Sequence, residues 1–350
     1  MNLTPRIDRI DQNKIINGSF PHWQRGTSFN QVGNATLYTA DRTHVRTVSY
    51  GGTIDLTYAR STDVPTLAEA KYVFPYSWKL TVNVAEASSP AASYAFLTHN
   101  IEGLNFAEIL DKELKVSFWV KSSVTGDYTF ALYTPVGTPY QFYKTPFTIN
   151  SANTWEKKVI SIPEIDQPSL INTDTSTGLE FRIHYSAGSN NRGDTDNGQW
   201  VSDHSGEWNC ANQTALTETA GATFYLTGLK LAENNGLSTN QEFSLFGRNL
   251  DEELVACKRY YEKLILVASF TFPTGGSHYW ESYLWGAEKR ATPTTTVSGF
   301  QVYNAGGGSG VFTPNILGGN IHYFNIGTSA QGYTQVQGIF SGTVYGNAEL

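Results

Sequence analysis

Only two cysteines, Cys210 and Cys257, occur in 350 residues, so no disulfide framework holds the fold and a buried core must do so. That usage fits synthesis in a reducing cytoplasm. Charged residues make up 16% of the chain and sum to a net charge of -7, with Lys and Arg scattered instead of gathered into a stripe. Such a balance repels a phosphate backbone, and nucleic acid is not expected as a partner. No apolar run approaches the ~20 residues of a membrane-spanning helix. The opening MNLTPRIDRIDQNK also lacks the apolar core and small-residue cleavage site of a signal peptide, so neither membrane insertion nor signal-directed export is expected.

Catalytic patterns are missing as well. The seven histidines, at 22, 44, 99, 184, 204, 278 and 322, form no His-x-His or His-Glu-x-x-His spacing, and the metal expectation is none. Gly306–Gly310 and Gly318-Gly319 read as turns, because no GK[ST] follows them, and no cofactor is expected. Asp194-Thr-Asp196-Asn-Gly198 suggests calcium only superficially, since the register and terminal Glu of an EF-hand are absent. Cys210 reads as a loop thiol and Cys257 as a helix-core thiol, neither with a recognisable base partner. Glycoside cleavage needs a pair of carboxylates and no segment identifies one. The expectation is a protein without catalytic residues.

What is abundant is aromatic: Tyr 20, Phe 19 and Trp 8. With so little charge, this composition favours strands over exposed helices. From about residue 14 to 234, short alternating runs are separated by Gly/Pro/Asn/Ser clusters, the pattern of antiparallel strands with one buried face. Leu114, Val116, Phe118 and Val120 share one face of a strand, and Leu179, Phe181, Ile183 and Tyr185 repeat the alternation. Further candidates are Tyr76–Val84, Tyr128–Tyr133, Trp155–Ile162 and Ala222–Leu231, a spacing that suits a two-sheet sandwich of jelly-roll type.

Residues 249–264, NLDEELVACKRYYEKL, break the pattern and predict a helix. Leu250, Leu254, Cys257, Tyr261 and Leu264 fall at spacings of four and three, on one stripe. Asn249 with Glu252 makes an N-cap pair, acids follow at the positive end, and Lys258, Arg259 and Lys263 sit toward the negative end. The stripe either packs on one β domain or forms a contact between subunits. Residues 265–350 return to β patterning with heavy Gly and Thr usage. The fold class is therefore all-β: an N-terminal arm (1–13), a jelly-roll sandwich (14–236), a linker and helix (237–264) and a smaller C-terminal β domain (265–350).

Two aromatic groupings are candidate ligand sites. The long loop Ser186–Thr219 places Trp200 and Trp208 around Asp203, His204 and Glu207. Aromatic faces beside carboxylates suit a sugar, whose ring face stacks while its hydroxyls need hydrogen bonds. Anchoring of the loop, or a subunit contact, is the competing reading of the same tryptophans. In the C-terminal domain Tyr279 and Trp280, with His278, Tyr283 and Trp285, form a second cluster, which also fits ordinary strand faces.

Three segments together resemble a family of bacteriophage virion proteins that carry a carbohydrate-binding-module-like jelly roll: tail fibres, tail spikes or head-decorating fibres. The first is NKIINGSFPHWQRGTSF, from Asn13 to Phe29, followed by Tyr38-Thr-Ala-Asp-Arg42. The second is Glu253-Leu-Val-Ala-Cys-Lys-Arg-Tyr-Tyr-Glu-Lys263, and the third Glu288-Lys-Arg-Ala-Thr-Pro-Thr294. The chain departs from the resembled pattern at Thr43-His44, where an aromatic is usual, at Lys258, where Gln is frequent, and at Lys289, where Met is frequent. The resemblance implies a non-enzymatic structural component of a virion, made in the host cytoplasm. It also implies a homotrimer that contacts other virion proteins and attaches to a host-surface glycan. A free-standing carbohydrate-binding lectin is the alternative, and a polysaccharide depolymerase a more distant one. The opening motif itself reads as scaffold: Asn17-Gly18 for a left-handed turn, Phe20 and Trp23 as plugs, and Arg25, Asp41 and Arg42 fixing a loop.

Overall fold

The computed structural model describes residues 13–50, 53–135, 140–166, 171–202, 206–234, 248–272, 278–304, 315–320, 323–329 and 336–349. The chain divides into two compact units, Met1–Glu253 and Leu254–Leu350. The division falls inside the helix, and residues at its start belong to the first unit.

Two antiparallel sheets make the first unit. One has six strands in the order β1 (Ser28–Val32), β4 (Asp55–Ser61), β5 (Ser77–Val84), β13 (Thr223–Glu233), β7 (Leu114–Ser122) and β10 (Glu156–Ile162). The other has seven: β12 (Trp200–Ser202), β9 (Gln141–Ile149), β8 (Gly126–Tyr133), β11 (Thr177–Ala187), β6 (Tyr94–Glu102), β3 (Thr43–Val48) and β2 (Ala35–Tyr38). Period-two alternation sends every second side chain of each sheet into one shared core. Leu114, Val116, Phe118 and Val120 of β7 face Leu179, Phe181, Ile183 and Tyr185 of β11 in that core, all at 0% exposure, as the sequence predicts. Two polar pairs sit inside that core. The Tyr58 and Tyr185 hydroxyls meet at 3.0 Å across the two sheets, and the Trp78 indole N–H donates to Thr39 Oγ1 at 3.1 Å. Burial raises the pKa of both tyrosines, so the bridge stays neutral.

The opening motif ties the front of the chain to the sandwich. Asn17 sits in the left-handed region at φ 64°, and its side-chain amide donates to the carbonyls of His22 and Asp41 at 2.9 Å each. Gly18 is required for a different reason: a Cβ there would stand 2.3 Å from the Leu229 carbonyl oxygen. That approach lets Leu229 N–H donate to Gly18 O at 2.9 Å. Phe20 is fully buried, the Trp23 indole donates to Phe20 O at 2.8 Å, and Asp41 accepts from Gln24 N–H and Nε2 at 2.9 and 2.7 Å. The same segment reaches the helix, where Arg248 donates to Ile15 O at 3.0 Å and pairs with Glu253 at 2.6 Å.

The helix spans Leu250–Lys258 and stops six residues short of its predicted end. Asn249 caps it as expected, its Oδ1 accepting from Asp251 and Glu252 N–H at 3.0 and 2.9 Å while Glu252 returns a bond to Asn249 N–H. Tyr261 and Leu264 belong instead to β14 (Tyr261–Phe272), which pairs with β19 (Val336–Asn347) over twelve residues. A Tyr-Tyr pair running into Leu-Ile-Leu-Val satisfies a strand better than a helix, and a long pairing partner outweighs the helical spacing. The predicted five-residue stripe is thereby cut to Leu250, Leu254 and Cys257, of which Leu250 is 62% exposed and Cys257 buried.

The second unit consists of two three-stranded sheets. The first orders β14, β19 and β16 (Thr294–Asn304); the second orders β15 (His278–Leu284), β18 (Tyr323–Ser329) and β17 (Asn315–Gly319). Its best-defined side-chain cluster centres on Glu262, whose carboxylate meets Lys289 Nζ at 2.7 Å with both side chains at 0% exposure. Lys258 stands 3.3 Å away and Gly286 N–H donates to both carboxylate oxygens at 3.0 and 3.2 Å. The two lysines that depart from the resembled pattern thus converge on one buried carboxylate.

Candidate functional site

With Val45, Leu97, Ile183 and Phe130 pointing into the core, their neighbours on β3, β6, β11 and β8 point out of the seven-stranded sheet. Register arranges these outward residues into cross-strand rows. The central row runs Tyr38, His44, Thr98, Arg182, Ala131, Lys144. On one side of it lie Asn100, Glu180, Tyr133 and Phe142, and on the other Arg46, Phe96, His184 and Thr129. The outer face is therefore an aromatic surface with arginines and one prominent carboxylate.

Arg182 organises its middle. The guanidinium carbon lies 4.8 Å from the Phe96 ring, 4.3 Å from Tyr133 and 5.4 Å from Trp208, while Nε and NH2 donate to Glu180 Oε2 at 2.8 and 2.6 Å. Stacking on three rings and a carboxylate holds the charge rigidly in a site only 4% exposed. Phe96, Tyr94 and Trp208 form a run of nearly parallel rings, with interplanar angles of 4° and 13° and centroids 5.9 and 6.2 Å apart. Tyr94, Tyr133 and Trp208 remain half-buried, and so present ring area at the rim.

The loop Ser186–Thr219 is fastened onto the other half of this face. Lys144, with its side chain at 0% exposure, donates to the carbonyls of Gly193, Glu207 and Asn209 at 2.9, 2.7 and 3.3 Å, and the Glu207 carboxylate stands 3.5 Å from it. One ammonium thus gathers three backbone oxygens, much as a bound cation would. Burial lowers the Lys144 pKa, with Glu207 opposing the shift. A Cβ at Gly193 would lie 1.9 Å from the Glu207 carboxyl carbon, so the glycine lets that carboxylate lie against the backbone. Asp194 Oδ1 accepts from Asn197 Nδ2 at 2.6 Å and Ala211 N–H at 2.9 Å, so the Asp194–Gly198 turn is a fastener. Among the described residues no group of three His, Cys, Asp or Glu side chains is placed to hold a metal ion.

The histidines on and behind this face are held neutral. The His44 pKa is pushed down to about 3 by burial first and then by the guanidinium groups of Arg42, Arg182, Arg46 and Arg25. His99 and His184 lie well below their ordinary value, also mainly through burial. Neutral His99 uses Nε2 to accept the Ile16 N–H at 3.3 Å, and His184 stacks on Phe96 at 4.9 Å. Burial raises the Cys210 thiol pKa, and Thr129 Oγ1 sits 2.7 Å from its sulfur, a packed and unreactive thiol.

Of the residues predicted from sequence to touch a ligand, Trp208 lies on this face. Trp200 does not: it is 7% exposed, its ring packs 5.6 Å from Tyr143, and its indole N–H donates to Pro163 O at 2.9 Å. Edge strand β12 turns it inward, and it is a core residue. Asp203 and His204 lie outside the described residues. Tyr279 and Trp280 occupy β15 opposite Thr328 and Gly327, and their side chains lie outside the described residues too. The neighbouring Trp285 is 6% exposed, with its indole N–H on Asn320 O at 3.1 Å. Sequence reasoning missed Tyr94, Tyr133, Glu180 and Arg182. The available signal was the outward set Glu180, Arg182, His184, which alternates with the four apolar residues that marked β11 as a strand.

No family model matches the chain, and no curated protein does. Among solved structures it is similar to the enzymatically active domain of a bacteriophage CBA120 tailspike protein, at 13% identity and a TM-score of 0.30, over 63% of this chain and 21% of that one. It is also similar to a family 11 carbohydrate-binding module from Clostridium thermocellum, solved with a β-1,3-1,4-mixed-linked tetrasaccharide, at 12% identity and a TM-score of 0.31 over 58% and 97% of the two chains. A xylan-binding domain from Paenibacillus barcinonensis matches at 10% identity and a TM-score of 0.30, over 64% and 96%. At these scores the fold assignment rests on the strands and registers described above.

Proposed function

We propose that this chain is a non-enzymatic component of a phage virion, a fibre, spike or capsid decoration, that attaches to a surface glycan through the outer face of its seven-stranded sheet. The observation that carries the glycan reading is the rim of half-buried Tyr94, Tyr133 and Trp208 around the Arg182–Glu180 pair. Rings give a pyranose its stacking surface, and fixed charged groups beside them bond its hydroxyls. Support for the virion reading is the order and spacing of three motif segments in the sequence. The carboxylate the face presents, Glu180, is committed to Arg182, whereas hydrolysis would need it free to face a second acid.

Repetition of one weak site in a homotrimer would supply avidity without tight single-site binding. The full chain is accordingly expected to run as a trimer in multi-angle light scattering at micromolar concentration. The function is tested by screening it against host-surface polysaccharides. Binding should fall about 10-fold or more in Tyr94→Ala, the loss of one stacking partner. A folded wild-type protein that retains none of the panel would remove the glycan reading, and presence only in the free fraction, never in purified particles, would remove the virion reading in favour of a lectin.

A further inference from the structure

The charge on the outer face opposes that of the molecule. The chain carries a net -7, yet guanidinium groups gather around neutral His44 where β2 and β3 meet the central row. His44 and Arg46 project from alternate positions of β3, and Arg182 follows His44 in the row with only Thr98 between them. Arg25 lies 4.8 Å over the Tyr38 ring, which itself packs 4.9 Å from His44. Glu180 takes up the charge of Arg182, but Arg46 is exposed and makes no hydrogen bond or ion pair among the described residues.

Two polar groups at the same place lack partners. Thr98 Oγ1 has no hydrogen-bond partner although Thr98 is 1% exposed, and His44 Nδ1 has none either. Buried polar atoms without partners are unfavourable, and a ligand that reaches them recovers that penalty. An arginine beside an orphan hydroxyl is an arrangement for oxyanions: a carboxylate or sulfate accepts two N–H bonds from a guanidinium and a third from a hydroxyl. A neutral sugar would leave the exposed Arg46 guanidinium without an anionic partner.

We propose that the glycan bound at this face is anionic, a saccharide bearing a carboxylate or sulfate that docks between Arg46 and the His44–Thr98–Arg182 row, with its ring against Tyr94. This rests on the glycan reading above and sharpens it.

The test uses the full chain and two matched pairs: polygalacturonate against its methyl ester, and dextran sulfate against dextran. The charged member of at least one pair should bind about 10-fold or more tightly than its neutral partner and weaken with added salt. Which pair responds tells a carboxylate from a sulfate. Arg46→Gln should reduce binding of the charged member by about 10-fold, while Lys79→Gln, on β5 of the other sheet, leaves it unchanged. Equal binding of charged and neutral members, or equal loss in the Lys79 variant, overturns the anionic assignment and leaves the glycan reading standing. Silence of all four polymers alongside retention of an uncharged host polysaccharide does the same, and silence throughout removes both.

Discussion

Lys144→Met is the perturbation whose consequence the structure defines most closely. The thioether keeps the apolar packing of the stem but withdraws the ammonium from three backbone carbonyls, those of Gly193, Glu207 and Asn209, and from the Glu207 carboxylate 3.5 Å away. Asn209 O keeps the Gly193 N–H as a donor at 2.9 Å, so the loss falls on the Gly193 and Glu207 carbonyls. A buried acceptor left without a donor is unfavourable by roughly 1–3 kcal/mol, and breaking a buried ion pair by removing one partner by roughly 3–5 kcal/mol. Glu207 keeps a 26% exposed side chain, so water can re-solvate part of the gap. The net loss is therefore about 3 kcal/mol, near the lower end. For a unit of this size that lowers the melting temperature by about 6–12 °C. Thermal melts by near-ultraviolet circular dichroism read the global loss, and limited proteolysis reads the loop, where cleavage within 190–215 should accelerate first. A variant that melts within 1–2 °C of the wild type, with its loop as resistant as before, would refute the tether.

Other expectations follow from the same geometry. Gly18→Ala drives a Cβ to 2.3 Å from the Leu229 carbonyl oxygen and should lower stability by about 2 kcal/mol, read as a lower urea midpoint at unchanged slope. His44, His99 and His184 are held below their ordinary pKa in the fold, so the unfolded chain binds their protons first. Stability should be complete above about pH 6.5 and fall below it, by up to about 1.4 kcal/mol per histidine per pH unit, while a flat profile from pH 7 to 5 would contradict neutral burial. Lys289→Met, which leaves the Glu262 carboxylate buried without its closest cation, should destabilise by about 3–5 kcal/mol, and adding Glu262→Gln should recover most of the loss. Two additive losses in that cycle would show the pair to be uncoupled.

Much of the sandwich was legible because a half-buried strand writes its period into the sequence. Leu114 to Val120 and Leu179 to Tyr185 alternate cleanly, and all of their apolar members are core. The opening motif was legible as scaffold for a related reason: Asn17, Gly18 and Trp23 are types that a left-handed residue, a close backbone approach and a plugged end demand. The helix end was not legible, since Tyr261 and Leu264 fit its stripe, and only a twelve-residue pairing partner about 80 positions away makes them strand. The candidate site was hidden more thoroughly. Tyr94, Tyr133 and Arg182 belong to three separate strands, and they become neighbours only through the registers that place Glu180 opposite both Asn100 and Tyr133. Trp200 and Trp208 differ for the same reason. Both are tryptophans of one polar loop, but one pairs into an edge strand facing the core and the other folds over the outer face.

The central claim, that the outer face of the seven-stranded sheet is the binding surface, is tested most directly by amide hydrogen exchange of the full chain with and without a polysaccharide it retains. The account predicts added protection in residues 36–46, 94–100 and 180–184, with the six-stranded sheet unchanged. Protection confined to the six-stranded sheet or to residues 265–350, with those three segments exchanging as before, would contradict it.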